Sequence, residues 1–351
     1  MTSDRLPVVV LGGTDEADLS AAVLAAQLDL PDAVTLRLEL DAEAGTVRRV
    51  VHDATGTVDD RTSLMEHACH SCALREELVP ALLELAGADR WPAALVVLPL
   101  GAELLPVGTA LGTDVLDERV PEHLELRAVT AVVDPAGLVE RVVAGTGGPE
   151  GAEVTAAVVA QLEYADVVVH SGHEAAPQDL TLLRHLARAD ALHVDSTLSV
   201  DGAALLAMRH DVDTASRCTS PLHRRPTGAE DADGITTVVL ESWRPLHPHR
   251  LMEAMEPMVL ASLRTRGAFW LPSRPDSVLA WDECCGQLRL GECARWDGKR
   301  RTHLVVTAHV DDVEEVRAAF EHALMTDAEM VGAAERWVGR PDGFEEWAGA
   351  A

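Results

Sequence analysis

Leu6-Pro7-Val8-Val9-Val10-Leu11-Gly12-Gly13-Thr14-Asp15-Glu16-Ala17-Asp18-Leu19 carries the first regular structure of the chain, and its reading decides the rest. Val8 to Leu11 is a short unbroken apolar run, the pattern of a strand buried on both faces, and Gly12 and Gly13 allow a tight turn after it. From Glu16 to Gln27 the chain is rich in Ala and Leu, and Asp15, Glu16 and Asp18 gather where acids favour a helix start. Roughly Leu6 to Gln27 is therefore a strand, a glycine turn and a helix.

That unit sits where a phosphate-gripping Walker A loop would sit. Such a loop needs Gly-x-x-x-x-Gly-Lys-Ser/Thr, with amides to cradle phosphates, a lysine to neutralise them and a hydroxyl for magnesium. Here Gly12, Gly13 and Thr14 are followed by acids and no lysine, and three carboxylates would repel a triphosphate. The turn reads as an ordinary strand-to-helix connection, with no cofactor expected at Gly12, Gly13 or Thr14.

Outward from this unit, β-branched runs alternate with segments of helical period as far as about residue 200, the mark of an α/β fold with a mostly parallel sheet covered by helices. Strands are expected at Val8 to Leu11, Val34 to Leu40, Thr46 to His52, Leu95 to Leu100, Val129 to Val133, Val167 to His170 and Ala191 to Val194. Helices are expected at Glu16 to Gln27, Ala73 to Ala86, Gly137 to Ala144, Val154 to Leu162 and Leu180 to Ala189. Residues 201–234 read as an irregular linker, and strands and helices then mix without strict alternation, suggesting a smaller α+β domain. The division is 1–200, a 201–234 linker, 235–326, and an acidic and aromatic tail at 327–351.

Composition sets the outer limits. At 351 residues and 47% hydrophobic content, two cores are expected. Met1-Thr2-Ser3-Asp4-Arg5 has no basic region followed by a long apolar stretch, and Leu6 to Leu11 is too short to be a signal peptide or a membrane span, so a cytoplasmic location and no membrane partner are expected. A net charge of -29 repels a phosphate backbone, which argues against direct, extensive nucleic-acid binding and favours a basic protein partner or plain solubility.

The six cysteines are read as thiols rather than a disulfide framework. In His67-Ala68-Cys69-His70-Ser71-Cys72, two thiols stand three residues apart just before an amphipathic segment, and His67 and His70 add imidazoles. Spacing and a helix amino terminus suit a metal such as zinc, a redox dithiol or structural burial. Cys284, Cys285 and Cys293 read as small core residues, and Cys218 falls in the linker.

The combination resembles the CobW-like family of P-loop GTPases and metal chaperones. The family's Gly-Cys-x-Cys-Cys before a Leu-Arg-Glu-Asp-Leu helix is similar to Ala68-Cys69-His70-Ser71-Cys72-Ala73-Leu74-Arg75-Glu76-Glu77-Leu78, with Ser71 in place of the middle cysteine. Its Arg-Pro-Phe-His-Pro and Arg-x-Lys-Gly-x-x-Trp motifs resemble Arg244-Pro245-Leu246-His247-Pro248 and Arg264-Thr265-Arg266-Gly267-Ala268-Phe269-Trp270, and its Val-Asp strand resembles Val132-Val133-Asp134. The departures fall on the nucleotide site: Leu98-Pro99-Leu100-Gly101 lacks the acid of Glu-Thr-Ser-Gly, and His170-Ser171-Gly172-His173 replaces the guanine-reading Asn-Lys-x-Asp.

The tail Ala323-Leu324-Met325-Thr326-Asp327-Ala328-Glu329-Met330, followed by Trp337, Phe344 and Trp347, is similar to the actinobacterial branch that recruits a ribosome hibernation factor under zinc starvation. The resemblance implies a P-loop-GTPase-like fold with a CobW carboxyl-terminal domain, zinc at Cys69, Cys72, His67 and His70, and no catalytic residue or GTP and magnesium use. It further implies a basic hibernation factor or small-subunit ribosomal proteins as partners. Trp337, Phe344, Trp347, Arg264 and Arg266 stand as partner-binding residues, with core cover the other role of the aromatics. Asp297-Gly298-Lys299-Arg300-Arg301 is a basic hairpin that is either a contact or a solvated turn. The rival readings are a GTP-dependent zinc metallochaperone and a thiol redox protein using Cys69 and Cys72.

Overall fold

The computed structural model describes residues 5–41, 43–64, 77–144, 148–171 and 174–349. The chain divides into two units: residues 1–136, 157–174 and 186–216 form one, and residues 137–156, 175–185 and 217–351 the other.

Among the described residues, eight strands build the sheet of the first unit. They are β1 (Leu6–Gly13), β2 (Val34–Asp41), β3 (Thr46–Asp53), β4 (Gly56–Leu64), β5 (Ala94–Val97), β6 (Leu124–Val133), β7 (Val167–His170) and β8 (Leu192–Val194). The order is β4-β3-β2-β5-β1-β6-β7-β8. All neighbours from β2 to β8 are parallel. β3 and β4 extend the β2 edge as antiparallel hairpins. The mostly parallel α/β sheet expected from the valine runs is what the fold contains. Val8, Val9, Val10 and Leu11 are fully buried, as a strand in the middle of a covered sheet requires. On the helix Glu16–Asp29, Leu19, Ala22, Val23 and Ala26 follow the i, i+3, i+4, i+7 spacing, and they pack with Val9, Leu11, Leu95 and Val97 into one core.

Several elements depart from the sequence reading. β4 was not expected, because its side chains are mostly exposed and show no apolar alternation. The helix Leu104–Gly112 was also missed, its Pro106 and Gly108 reading as breakers. Within the stretch taken as a linker stand the helices Gly202–Ala207 and Val212–Thr219. Asp201 caps the first by accepting from the Ala204 amide at 2.8 Å, and Leu205 enters the sheet core, so local capping and one buried leucine suffice to order a polar segment.

The second unit holds β9 (Ile235–Ser242), β10 (Arg264–Phe269), β11 (Ser277–Cys284), β12 (Gln287–Arg295) and β13 (Thr302–His309) in the order β12-β11-β10-β13-β9, antiparallel throughout. This is the expected smaller α+β domain. Helices Pro248–Leu260 and Val313–Ala323 give Leu251, Ala254 and Met258, and Val316, Phe320 and Ala323, to a core with Phe269, Trp281, Leu304 and Val306. Among the described residues no helix is long and apolar enough to cross a membrane.

Candidate functional site

Thr14 and Asp15 alone separate β1 from the helix Glu16–Asp29. Asp15 is the N-cap: its Oδ1 accepts from the amides of Ala17 at 2.9 Å and Asp18 at 3.0 Å. Those are amides that a phosphate at a helix amino terminus would use. Glu16 is tied down as well, pairing with Arg37 Nη1 at 2.6 Å and accepting from the Ser20 hydroxyl at 2.8 Å.

Behind the turn the space is filled. A Cβ at Gly12 would come within 2.9 Å of Leu104 Cδ2 and 3.5 Å of Gln161 Nε2, and one at Gly13 within 2.9 Å of the Val132 carbonyl oxygen. The glycines thus serve close packing of β1. Gln161 Nε2 donates to the Ala102 carbonyl at 2.8 Å, while the Leu98 and Gly101 amides donate to the carbonyls of Leu11 at 3.0 Å and Gly13 at 2.9 Å, lashing the 98–101 segment to the end of β1.

The ends of β6 and β7 carry the other positions singled out in the sequence. Asp134 Oδ1 accepts from the Ala136 amide at 3.0 Å and the Ser171 hydroxyl at 3.3 Å. His170 is buried, with Nε2 3.3 Å from His193 Nδ1 and Nδ1 3.8 Å from Asp195 Oδ1. Gly172 and His173 lie outside the described residues.

A buried network nearby escaped the sequence reading. Asp166 accepts from the Val129 amide at 2.8 Å, His210 Nδ1 at 2.7 Å and Arg188 Nη1 at 3.0 Å, and Tyr164 meets His210 Nε2 at 3.1 Å. Burial, with the Asp166 charge adding to it, pushes the Tyr164 phenol well above its ordinary range. An acid at the start of an apolar strand was the one signal for this network; its partners are remote in sequence.

Cys69, Cys72, His67 and His70 lie outside the described residues. Among the described residues no group of three or more His, Cys, Asp or Glu is placed to hold a metal ion.

In the second unit, Arg244-Pro245-Leu246-His247-Pro248 is a junction. The Leu246 amide donates to the Trp270 carbonyl at 3.1 Å, the His247 amide to Ala323 at 2.7 Å, and the Met325 amide to Pro245 at 3.1 Å. The His247 ring caps the helix Pro248–Leu260, and Pro248 is preorganised for its first turn. Arg244 pairs with Asp327 at 2.7 Å, and Arg250 grips both carboxylate oxygens of Glu329 at 2.8 Å. The acids of the 323–330 tail thus answer one arginine of the motif and one of the helix that follows it.

The aromatic tail residues have separate environments. Trp337 stands edge-on to His247 and His249, with ring centroids 5.3 and 5.4 Å apart. Phe344 is 1% exposed and belongs to the core, whereas Trp347, 5.6 Å from it, is 38% exposed. Asp342 fixes this end of the chain: its carboxylate accepts from Arg274 Nε at 2.8 Å, Arg274 Nη2 at 3.1 Å, the Ser273 hydroxyl at 2.5 Å and the Phe344 amide at 2.9 Å. Arg264 and Arg266 project from β10; Arg264 Nη1 donates to Asp282 and to the Glu283 carbonyl, both at 2.5 Å, and Arg266 Nη2 to the Thr219 carbonyl at 2.7 Å.

Beside the eight-stranded, mostly parallel α/β unit, the small antiparallel sheet and its helices span residues 235–324, which match the cobalamin synthesis protein cobW C-terminal domain. The chain is similar, at 26% identity over 98% of its length and 94% of the relative's, to the zinc chaperone Rv0106 of Mycobacterium tuberculosis. It is similar to the same degree to the uncharacterized protein Mb0109 of Mycobacterium bovis. The Zn(II)-bound YjiA GTPase from E. coli aligns with 92% of this chain and 99% of its own at 17% identity and a TM-score of 0.39.

Proposed function

We propose that this chain is a zinc-linked CobW-like adaptor that recruits a ribosome hibernation factor to the ribosome during zinc limitation, without ordinary GTP hydrolysis. The observation that carries the proposal is the β1 turn: Asp15 occupies helix amides that a phosphate would need, and Leu104 and Gln161 stand against Gly12. A nucleotide would have to displace a carboxylate of the same chain and open a packed strand end, against the repulsion of Asp15, Glu16 and Asp18.

Zinc enters through the donor set. Two thiols and two imidazoles within His67 to Cys72 are of the chemistry that binds zinc, and similarity to a mycobacterial protein named a zinc chaperone supports the same link. Cys69 and Cys72 would bind as thiolates, with His67 or His70 completing the set; the metal would supply local order and a sensor of zinc supply. The net charge of -29 suits a basic partner, reached in the cytoplasm, and leaves ribosomal RNA to be approached by way of that partner or of small-subunit proteins. The rival reading, a GTP-dependent zinc metallochaperone, has the mycobacterial relative's name in its favour and requires a working nucleotide site.

Two experiments separate the readings. Calorimetry with GTP and magnesium is expected to give no binding, and micromolar affinity would establish the metallochaperone instead. Affinity capture from zinc-starved cells is expected to return a hibernation factor or small-subunit proteins; a clean capture lacking both refutes the adaptor.

A further inference from the structure

One face of the second sheet carries Leu304 and Val306 toward the helices, and the alternation of side chains sends Val305 and Thr307 to the other face. The register places Arg264 opposite Thr307 and Thr307 opposite Thr237, so a row of polar side chains crosses β10, β13 and β9 on that outer face. There a narrow open cleft is lined by Arg264 and Arg266 from the sheet, by Arg224, Arg225 and Thr227 from the segment before β9, and by His185. Among the described residues no acid belongs to its lining, in a chain whose formal charge is -29, and behind it Asp282 pairs with Arg264 and lies 3.5 Å from Arg266 Nε.

The walls are fixed by bonds of their own. Arg224 Nη1 donates to the Cys218 carbonyl at 2.8 Å, and His303 Nε2 stands 2.8 Å from the Arg224 carbonyl oxygen. Arg266 is held by the Thr219 carbonyl and Arg264 by Asp282, at the distances given above. His185 Nδ1 lies 2.8 Å from Thr237 Oγ1, which in turn lies 2.8 Å from Thr307 Oγ1. Guanidiniums gathered in fixed positions repel one another, and an anion placed among them offsets that cost while using donors set in advance. Forked guanidinium donors match the oxygens of a tetrahedral anion.

We infer that this cleft is a binding site for one small tetrahedral oxyanion of the phosphate class, placed on the outer face of β10, β13 and β9.

Isothermal titration of the full chain at low ionic strength, with inorganic phosphate and separately with phenyl phosphate, tests it. Saturable one-to-one binding is expected; a preference for phosphate identifies the free ion, and a preference for phenyl phosphate a phosphate group carried on a small molecule. Arg225→Gln alters an exposed residue, and Arg266→Gln removes a floor guanidinium. Each is expected to weaken binding by about tenfold, the effect of losing one charge-assisted contact. Arg300→Gln with Arg301→Gln, in the separate 297–301 hairpin, is expected to leave it unchanged. Absence of binding, chloride competing as well as phosphate, or equal affinity in both Arg225→Gln and Arg266→Gln would each overturn the site. Circular dichroism of each variant confirms that the fold is kept, and Arg225→Gln preserves the test if Arg266→Gln does not fold.

Discussion

Replacing Asp342 with alanine tests how the end of the chain is held. The side chains of Arg274 and Asp342 are 3% and 0% exposed, and the pair is two-pronged. Burial opposes ionisation of Asp342, yet hydrogen bonds from Arg274, Ser273 and the Phe344 amide hold its carboxyl below the ordinary range. Removing the carboxylate strands a buried guanidinium, and loss of one partner of such a pair costs about 3–5 kcal/mol. The remaining bond from Arg274 goes to the Ala348 carbonyl, itself part of the segment being held. The tail is therefore expected to detach locally, giving up the burial of Phe344, worth about 1.5–3 kcal/mol, rather than unfold the sheet. Hydrogen exchange of residues 333–349 is the assay, and a loss of about 3 kcal/mol predicts a rise of roughly a hundredfold in tail exchange with the sheet unchanged. Arg274→Met with Asp342→Leu, which removes both charges, is expected to regain most of the protection. Because the folded carboxyl ionises below its unfolded range, the clamp is complete above ~pH 4 and is lost as pH falls below that. Tail protection in Asp342→Ala within about threefold of the parent at neutral pH, less than ~1 kcal/mol, would refute the clamp.

Three further outcomes are expected. Glu283 is fully buried, and burial pushes its carboxyl from 4.5 up to about 7 despite Arg264 and Ser262. The folded state thus binds the extra proton between those values, stability falls by up to about 3 kcal/mol as pH rises through the window, and Glu283→Gln should flatten melting temperature between pH 5 and 8; a variant retaining the parent's slope contradicts this. Asp15→Ala should cost ~1 kcal/mol in denaturant unfolding and still bind no GTP with magnesium, since the packing behind the turn is untouched; gain of nucleotide binding would show that the cap alone closes the turn. Gly13→Ala forces a methyl against the Val132 carbonyl and should cost about 1–3 kcal/mol, measured by urea titration, whereas a neutral result would mean the strand end yields freely.

The fold was most legible where burial writes itself into composition. Val8 to Leu11 and Val167 to Val169 are continuous apolar runs because parallel strands there are covered on both faces. β4 left no such trace, its Asp59, Asp60 and Arg61 being compatible with any exposed segment. Leu205 needed the core to be known before its short helix made sense. At the candidate site, the acids at the β1 turn were readable as a helix start, but Leu104 and Gln161 against Gly12 were not, since contacts between positions so distant leave no local period. The same holds for Arg274 and Asp342, and for the four arginines brought together by strand register and the 224–227 segment.

Asp15 gives the first helix a ligand that is part of the polypeptide. Its local concentration does not vary with metabolism, and it cannot be exchanged, hydrolysed or depleted. Under the proposed function the turn after β1 would have the same occupancy in a starved cell as in a growing one, and the first sheet would work as a fixed scaffold rather than as a gauge of nucleotide supply.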